Sequence, residues 1–167
     1  KYTYSDIDNI KERVSTFATS CAEKLRQQGS SCHIIVVSLS SDRHKLDLEQ
    51  HRASMRINLS CPTNSSLILS SCAVSAVMSI FKQGIKYKRA GVVVTGLVPE
   101  DSFQLDLFNN ENPKHKPLMQ SIDYLNAKFK GNTIKLASQD LKRTWKMRQE
   151  RLSPRYTTNI NDIITVK

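Results

Sequence analysis

Apolar residues recur at Ile7, Ile10, Val14, Phe17, Cys21 and Leu25, spacings of three and four that build one face of a helix over residues 5–28. Ser5 with Asp8 offers a capping box, and Gly29 a natural stop. The period then changes. Residues 32–39 form a β-branched run that predicts a strand, followed by a polar, charged loop from Ser40 to about His51. Ala53, Met55, Ile57 and Leu59 next alternate with Arg52, Ser54, Arg56 and Asn58. That alternation predicts a strand with one face on a core and the other basic and polar. Residues 62–65 read as a turn and helix start. Leu69, Cys72, Ala76 and Ile80 mark a second amphipathic helix ending near Gly84. The cluster Lys86-Tyr87-Lys88-Arg89 leads into a strand over 90–95, which Gly91 weakens without excluding.

The order α-β-β-α-β points to an α+β fold: two helices on one face of a mixed β-sheet, the other face open. A complete β-α-β-β-α-β unit needs a strand before Ser5, where only residues 1–4 stand. If that strand belongs inside the sheet, its loss should leave unpaired strand edges. Farther on, residues 117–130 predict a short helix with Leu118, Ile122 and Leu125 on one face and Gly131 at its end. Residues 133–138 read as a strand. Residues 139–151 read as a basic helix whose Trp145 anchors a small, mostly helical C-terminal extension. The expected divisions are 1–98, a linker over 99–113, and 114–167.

Charge sharpens this picture. The 167 residues carry a formal net charge of +10 and a pI of about 9.6. Residues 1–100 hold 13 Lys/Arg against 8 Asp/Glu, and the remainder 12 against 7, so two basic surfaces are expected. A polyanion, most simply DNA, is the partner this implies. Arg52, Ser54 and Arg56 on the open strand face, with Lys86, Lys88 and Arg89 beside the neighbouring strand, are the candidate DNA contacts. Lys and Arg on phosphates hold DNA without reading its sequence.

Other chemistries find little support. Cys21, Cys32, Cys61 and Cys72 include no C-x-x-C pair and sit in apolar stretches, as buried hydrophobes rather than metal ligands. Asp6 and Asp8 belong to a helix start, and Asp42, Asp47 and Glu49 to a loop, so no carboxylate set suited to two-metal catalysis is visible. His33, His44 and His51 lack the positioned acid a nuclease would need. No catalytic residue, metal site or cofactor is therefore expected. No run approaches the roughly 18 apolar residues of a membrane span, and no secretory signal opens the chain, so a cytoplasmic location is expected. The chain begins at Lys1 rather than Met, as a fragment would.

The most specific segment is Gln104-Leu105-Asp106-Leu107-Phe108. Its Gln104 amide is a polar anchor, and Leu107 and Phe108 are apolar plugs for a preformed pocket. Turn-rich polar flanks, residues 98–102 and 109–113, favour exposure. The segment resembles the peptide by which bacterial polymerases and repair factors grip the sliding clamp. Several further segments carry a resemblance over the whole length to the C-terminal part of the UmuC-like Y-family translesion DNA polymerases. They are Ala22-Glu23-Lys24-Leu25-Arg26, Tyr87-Lys88-Arg89-Ala90-Gly91-Val92, Leu125-Asn126-Ala127-Lys128 and, the most distinctive, Leu152-Ser153-Pro154-Arg155-Tyr156-Thr157-Thr158. The resemblance implies that residues 1–98 are a little finger, the accessory DNA-binding domain, lacking most of its first strand. It implies a clamp-binding linker, a C-terminal extension, and UmuD′-like subunits and RecA as partners in SOS mutagenesis. The palm, with its Mg2+-binding carboxylates, is not in this sequence. A truncated regulator that occupies the clamp without polymerising is the alternative.

Overall fold

The computed structural model describes residues 5–45, 47–100, 112, 114–129, 133–139 and 153–154. The segment 104–108 and the expected helix around Trp145 lie outside the described residues.

The described elements run α1 (Ile7–Gln27), β1 (Ser30–Ser41), β2 (Arg52–Thr63), α2 (Ser66–Ile80), β3 (Tyr87–Pro99) and α3 (His115–Lys128). This is the expected α+β order, with strands longer than their apolar runs. The expected capping box is replaced by Asp6, whose Oδ1 accepts from the Asp8 N–H at 3.1 Å. Gly29, at φ +65°, stops α1 as expected; its N–H returns to the Arg26 carbonyl. Helix α2 ends at Ile80, short of Gly84, because Phe81 turns extended and packs against the core. The Lys82 N–H then donates to the Tyr87 hydroxyl at 2.9 Å.

The sheet order is β2-β1-β3, antiparallel throughout, and this corrects the expected mixed sheet. Helix α2 carries the chain past β1, so β2 and β3 share a direction without being neighbours. The same order corrects the expectation of an interior gap. The central strand β1 is paired on both sides, and a further strand could join only at an outer edge.

Register fixes the two faces. Toward the helices, Leu39 lies between Ala53 and Ala90, Val37 between Met55 and Val92, and Ile35 between Ile57 and Val94. Ile35, Val37 and Leu39 are fully buried, each worth about 1.5–3 kcal/mol of transfer from water. Helices α1 and α2 close this core with Val14, Ala18 and Ala22 against Leu69, Ala73 and Ala76.

The extension packs on the same helical layer. Met119 is its buried anchor, whereas Leu118 of the expected apolar face is 45% exposed. Residues 133–139 are irregular, with a turn at 137–138, rather than the expected strand. The Ile134 peptide is bonded by the Asn126 carboxamide, at 2.8 Å to its N–H and 3.1 Å to its carbonyl, which takes the place of a strand partner. The hydroxyls of Ser15, Ser70 and Ser138 close a triangle at 2.7–3.1 Å, joining α1, α2 and the extension.

Candidate nucleic-acid interface

The open sheet face carries the predicted polar residues in rows. Arg52, Ser40 and Arg89 form one row across the three strands; Ser54, Ser38 and Gly91 form the next; Arg56, Val36 and Val93 the third. Arg52, Ser54, Arg56 and Arg89 are exposed, as is Lys86 just before β3. The Arg56 Nε donates to the Asn58 Oδ1 at 3.1 Å, which aligns the side chain along its strand. The face is not uniform: Val93 and Leu97 are 59% and 51% exposed, so aliphatic residues interrupt the polar rows toward its far end.

Lys88 is placed differently from its neighbours. Between Ser40 and Ser41 the partner on β3 jumps from Arg89 to Tyr87, a bulge that leaves Lys88 outside the register. Its ammonium pairs with Asp42, and both side chains are nearly buried. This hydrogen bond from Lys88, with a lesser contribution from the His44 N–H, outweighs burial and holds the Asp42 carboxyl below the usual aspartate range. Because the folded value is depressed, the stabilisation from this pair is present above the ordinary aspartate pKa and lost as pH falls through the folded value. A Lys88→Met protein should show the Asp42 carboxyl carbon, followed by NMR, titrating at higher pH than in wild type. Equal midpoints would contradict this attribution.

Arg43, His44, Arg52 and Arg89 line one cleft of about 320 Å³ at the Ser40 end of the sheet, floored by Ser38, Ser40 and Gly91. A Cβ on Gly91 would stand 3.1 Å from the Ser38 Oγ, so glycine keeps that floor low. The charge pattern singled out Arg52 and Arg89 but missed Arg43 and His44. Only the polar character of the loop after β1 pointed to them.

Of the four cysteines expected to be buried, Cys32 is, whereas Cys21, Cys61 and Cys72 are half-buried. Burial pushes the Cys32 thiol up to about 11 and also raises Cys21 and Cys72. Among the described residues no three His, Cys, Asp or Glu side chains converge as metal ligands would, and no helix is long and apolar enough to cross a membrane.

An antiparallel sheet with two helices on one face and a basic open face defines an α+β domain of little-finger type. The chain belongs to the impB/mucB/samB family, whose C-terminal domain matches residues 1–107. Residues 116–166 match a domain of unknown function, DUF4113. Protein UmuC of Salmonella typhimurium is 32% identical over 98% of this chain and 39% of its own length. Protein MucB of the same organism is 29% identical over 94% of this chain, and Protein SamB 30% over 95%. The chain thus spans about two fifths of the length of the curated relatives it matches.

Proposed function

We infer that this chain is the DNA-holding and clamp-holding portion of a UmuC-like, error-prone translesion DNA polymerase. The observation that carries the reading is the exposed set Arg52, Arg56 and Arg89 on the open sheet face. None of them has a carboxylate partner among the described residues. Cations spent on internal ion pairs would have little left for phosphates; these are available. Lys86 extends the set, Ser54 adds a neutral donor, and Lys88 serves from behind through Asp42. Polymerisation itself, with its Mg2+, belongs to the part of the relatives that this chain does not span.

The clamp peptide, Gln104, Leu105, Asp106, Leu107 and Phe108, is the second grip. Its base is described. The Glu100 N–H donates to the Gly29 carbonyl at 2.9 Å, and the Glu100 carboxylate pairs with Lys116 at 2.9 Å. Ser30, beside Pro99, and Ser40, beside Arg52 and Arg89, lie at opposite ends of β1, about 34 Å apart at the usual strand rise. UmuD′-like subunits and RecA are the further partners of this reading, and the cytoplasm its place of action.

The test is DNA affinity measured against salt. Each phosphate contact on duplex contributes about 0.9 to the slope of log affinity against log salt. An Arg52→Ala/Arg56→Ala protein should bind more weakly, with a slope lower by roughly 1.8 if both residues touch phosphate. An unchanged slope would move the DNA surface off this sheet.

A further inference from the structure

We propose that the loop after β1 is a preformed clip for one DNA phosphate, and that Lys88 sets it by holding Asp42 rather than by touching DNA. This rests on the DNA-binding reading above and gives it a specific grip that the charge pattern alone does not supply.

The loop is built as a site would be. Asp42 joins it to the sheet: its carboxylate takes Lys88, and its Oδ1 also accepts the His44 N–H at 3.2 Å. Its carbonyl accepts from the Lys45 N–H at 3.2 Å and from the Gln50 Nε2 at 3.0 Å. The same Gln50 amide reaches the Lys45 and Leu48 carbonyls at 2.8 and 3.1 Å, so one side chain ties the loop from within. Ser41 and His51 close its base: the Ser41 N–H donates to the His51 carbonyl at 2.9 Å, and the His51 N–H to the Ser41 Oγ at 3.0 Å. A loop so tied leaves less backbone to be ordered when Arg43 and His44 bind.

Arg43 adds a third guanidinium to those of Arg52 and Arg89 at the cleft, and His44 lies beside it. Arg52 and Arg89 flank Ser40 from opposite strands, about 10 Å apart at Cα by two strand spacings. Guanidinium groups on side chains that long can converge on one phosphate, whose oxygens match their fork. Arg43 closes the cleft from the loop. Among the described residues Asp42 is the one carboxylate on the cleft wall, and its charge is already taken by Lys88. The cleft is open and low-floored, suited to a backbone group presented by a polymer rather than to an enclosed metabolite.

The experiment uses the whole chain and a short DNA duplex over a salt series, with thermal melts to confirm folding. Arg43→Ala should lower the salt slope by about 0.9. Lys88→Asp should lower it similarly, because two carboxylates then repel and the loop loses its anchor. Asp42→Asn keeps an acceptor for the His44 N–H but loses the ion pair, and should lower the slope as Lys88→Asp does. A direct DNA contact by Lys88 predicts no fall in Asp42→Asn, and an Asp42→Asn slope equal to wild type in a folded protein overturns the positioning role. An Arg43→Ala slope equal to wild type overturns the clip while leaving DNA binding intact. No binding by wild type at any salt overturns the DNA-binding reading itself, and the clip with it. Inorganic phosphate shifting the Arg43 side-chain NMR signals where DNA does not would assign the cleft to free phosphate and also overturn the proposal. If Lys88→Asp fails to fold, Lys88→Met in the same assay gives the same reading.

Discussion

Replacing Leu107 and Phe108 with Ala is expected to weaken binding to a bacterial sliding clamp by two to three orders of magnitude. Interface anchors of this kind cost ~2 kcal/mol or more each on truncation, about thirtyfold apiece, and neighbouring anchors do not add strictly. The remaining members of the segment offer less. In the proposed clamp-binding reading Gln104 would supply one directional hydrogen-bonding group, and Leu105 and Asp106 would space the anchors. The base of the segment should be unaffected, since the Glu100–Lys116 pair and the Glu100–Gly29 hydrogen bond lie outside the substituted pair. Thermal melts of both proteins separate lost recognition from lost folding. Titration of purified clamp with both proteins, by calorimetry, measures the effect. An affinity within twofold of wild type would remove this segment from the clamp-binding reading.

Much of the fold was legible because strands advertise themselves by alternation. The β2 pattern placed Met55, Ile57 and Leu59 on the core and Arg52, Ser54 and Arg56 outside, as found. Helix faces were harder. On α1, the large residues Phe17 and Cys21 are only half-buried, while Ala18 and Ala22 are fully buried. There α2 approaches with Ala73 and Ala76, and small side chains let the two backbones close. A pattern read by side-chain size turns the helix slightly wrong. On α3 the same error exchanged Leu118 for Met119. The candidate interface was half legible. Arg52 and Arg89 declared themselves by strand position, but a bulge cannot be read from composition, so Lys88 looked like another exposed cation. Its partner Asp42 sits 46 residues earlier in a loop with no periodicity. The Ser15–Ser70–Ser138 triangle was equally hidden, because serines in helices and loops give no sign of what they will face.

Arg26 is the sharpest case among the described residues of one whose importance only the fold discloses, and its replacement should have a large effect on stability. Its Nε and Nη2 donate to both carboxylate oxygens of Asp123 at 2.6 and 2.7 Å. Its Nη1 donates to the Asn64 carbonyl at 2.7 Å and the Ser66 Oγ at 3.0 Å. One guanidinium thus binds the end of α1 to the start of α2 and to α3 of the extension. Arg26→Ala would remove the shared donor of four acceptors. Breaking a fully buried pair costs about 3–5 kcal/mol; the Asp123 side chain is 32% exposed and water can reach it, so about 2–3 kcal/mol is expected. For a chain of this length that is roughly 5–10 °C in melting temperature. Arg26→Lys keeps the charge but not the fork, and should recover only part of the loss. Hydrogen exchange decides where the loss falls. If Arg26 clasps the extension to the helical layer, α3 amides should lose protection in Arg26→Ala before those of β1 do. An unchanged melting temperature with α3 protected as in wild type would show that Met119 and the serine triangle hold the extension without it.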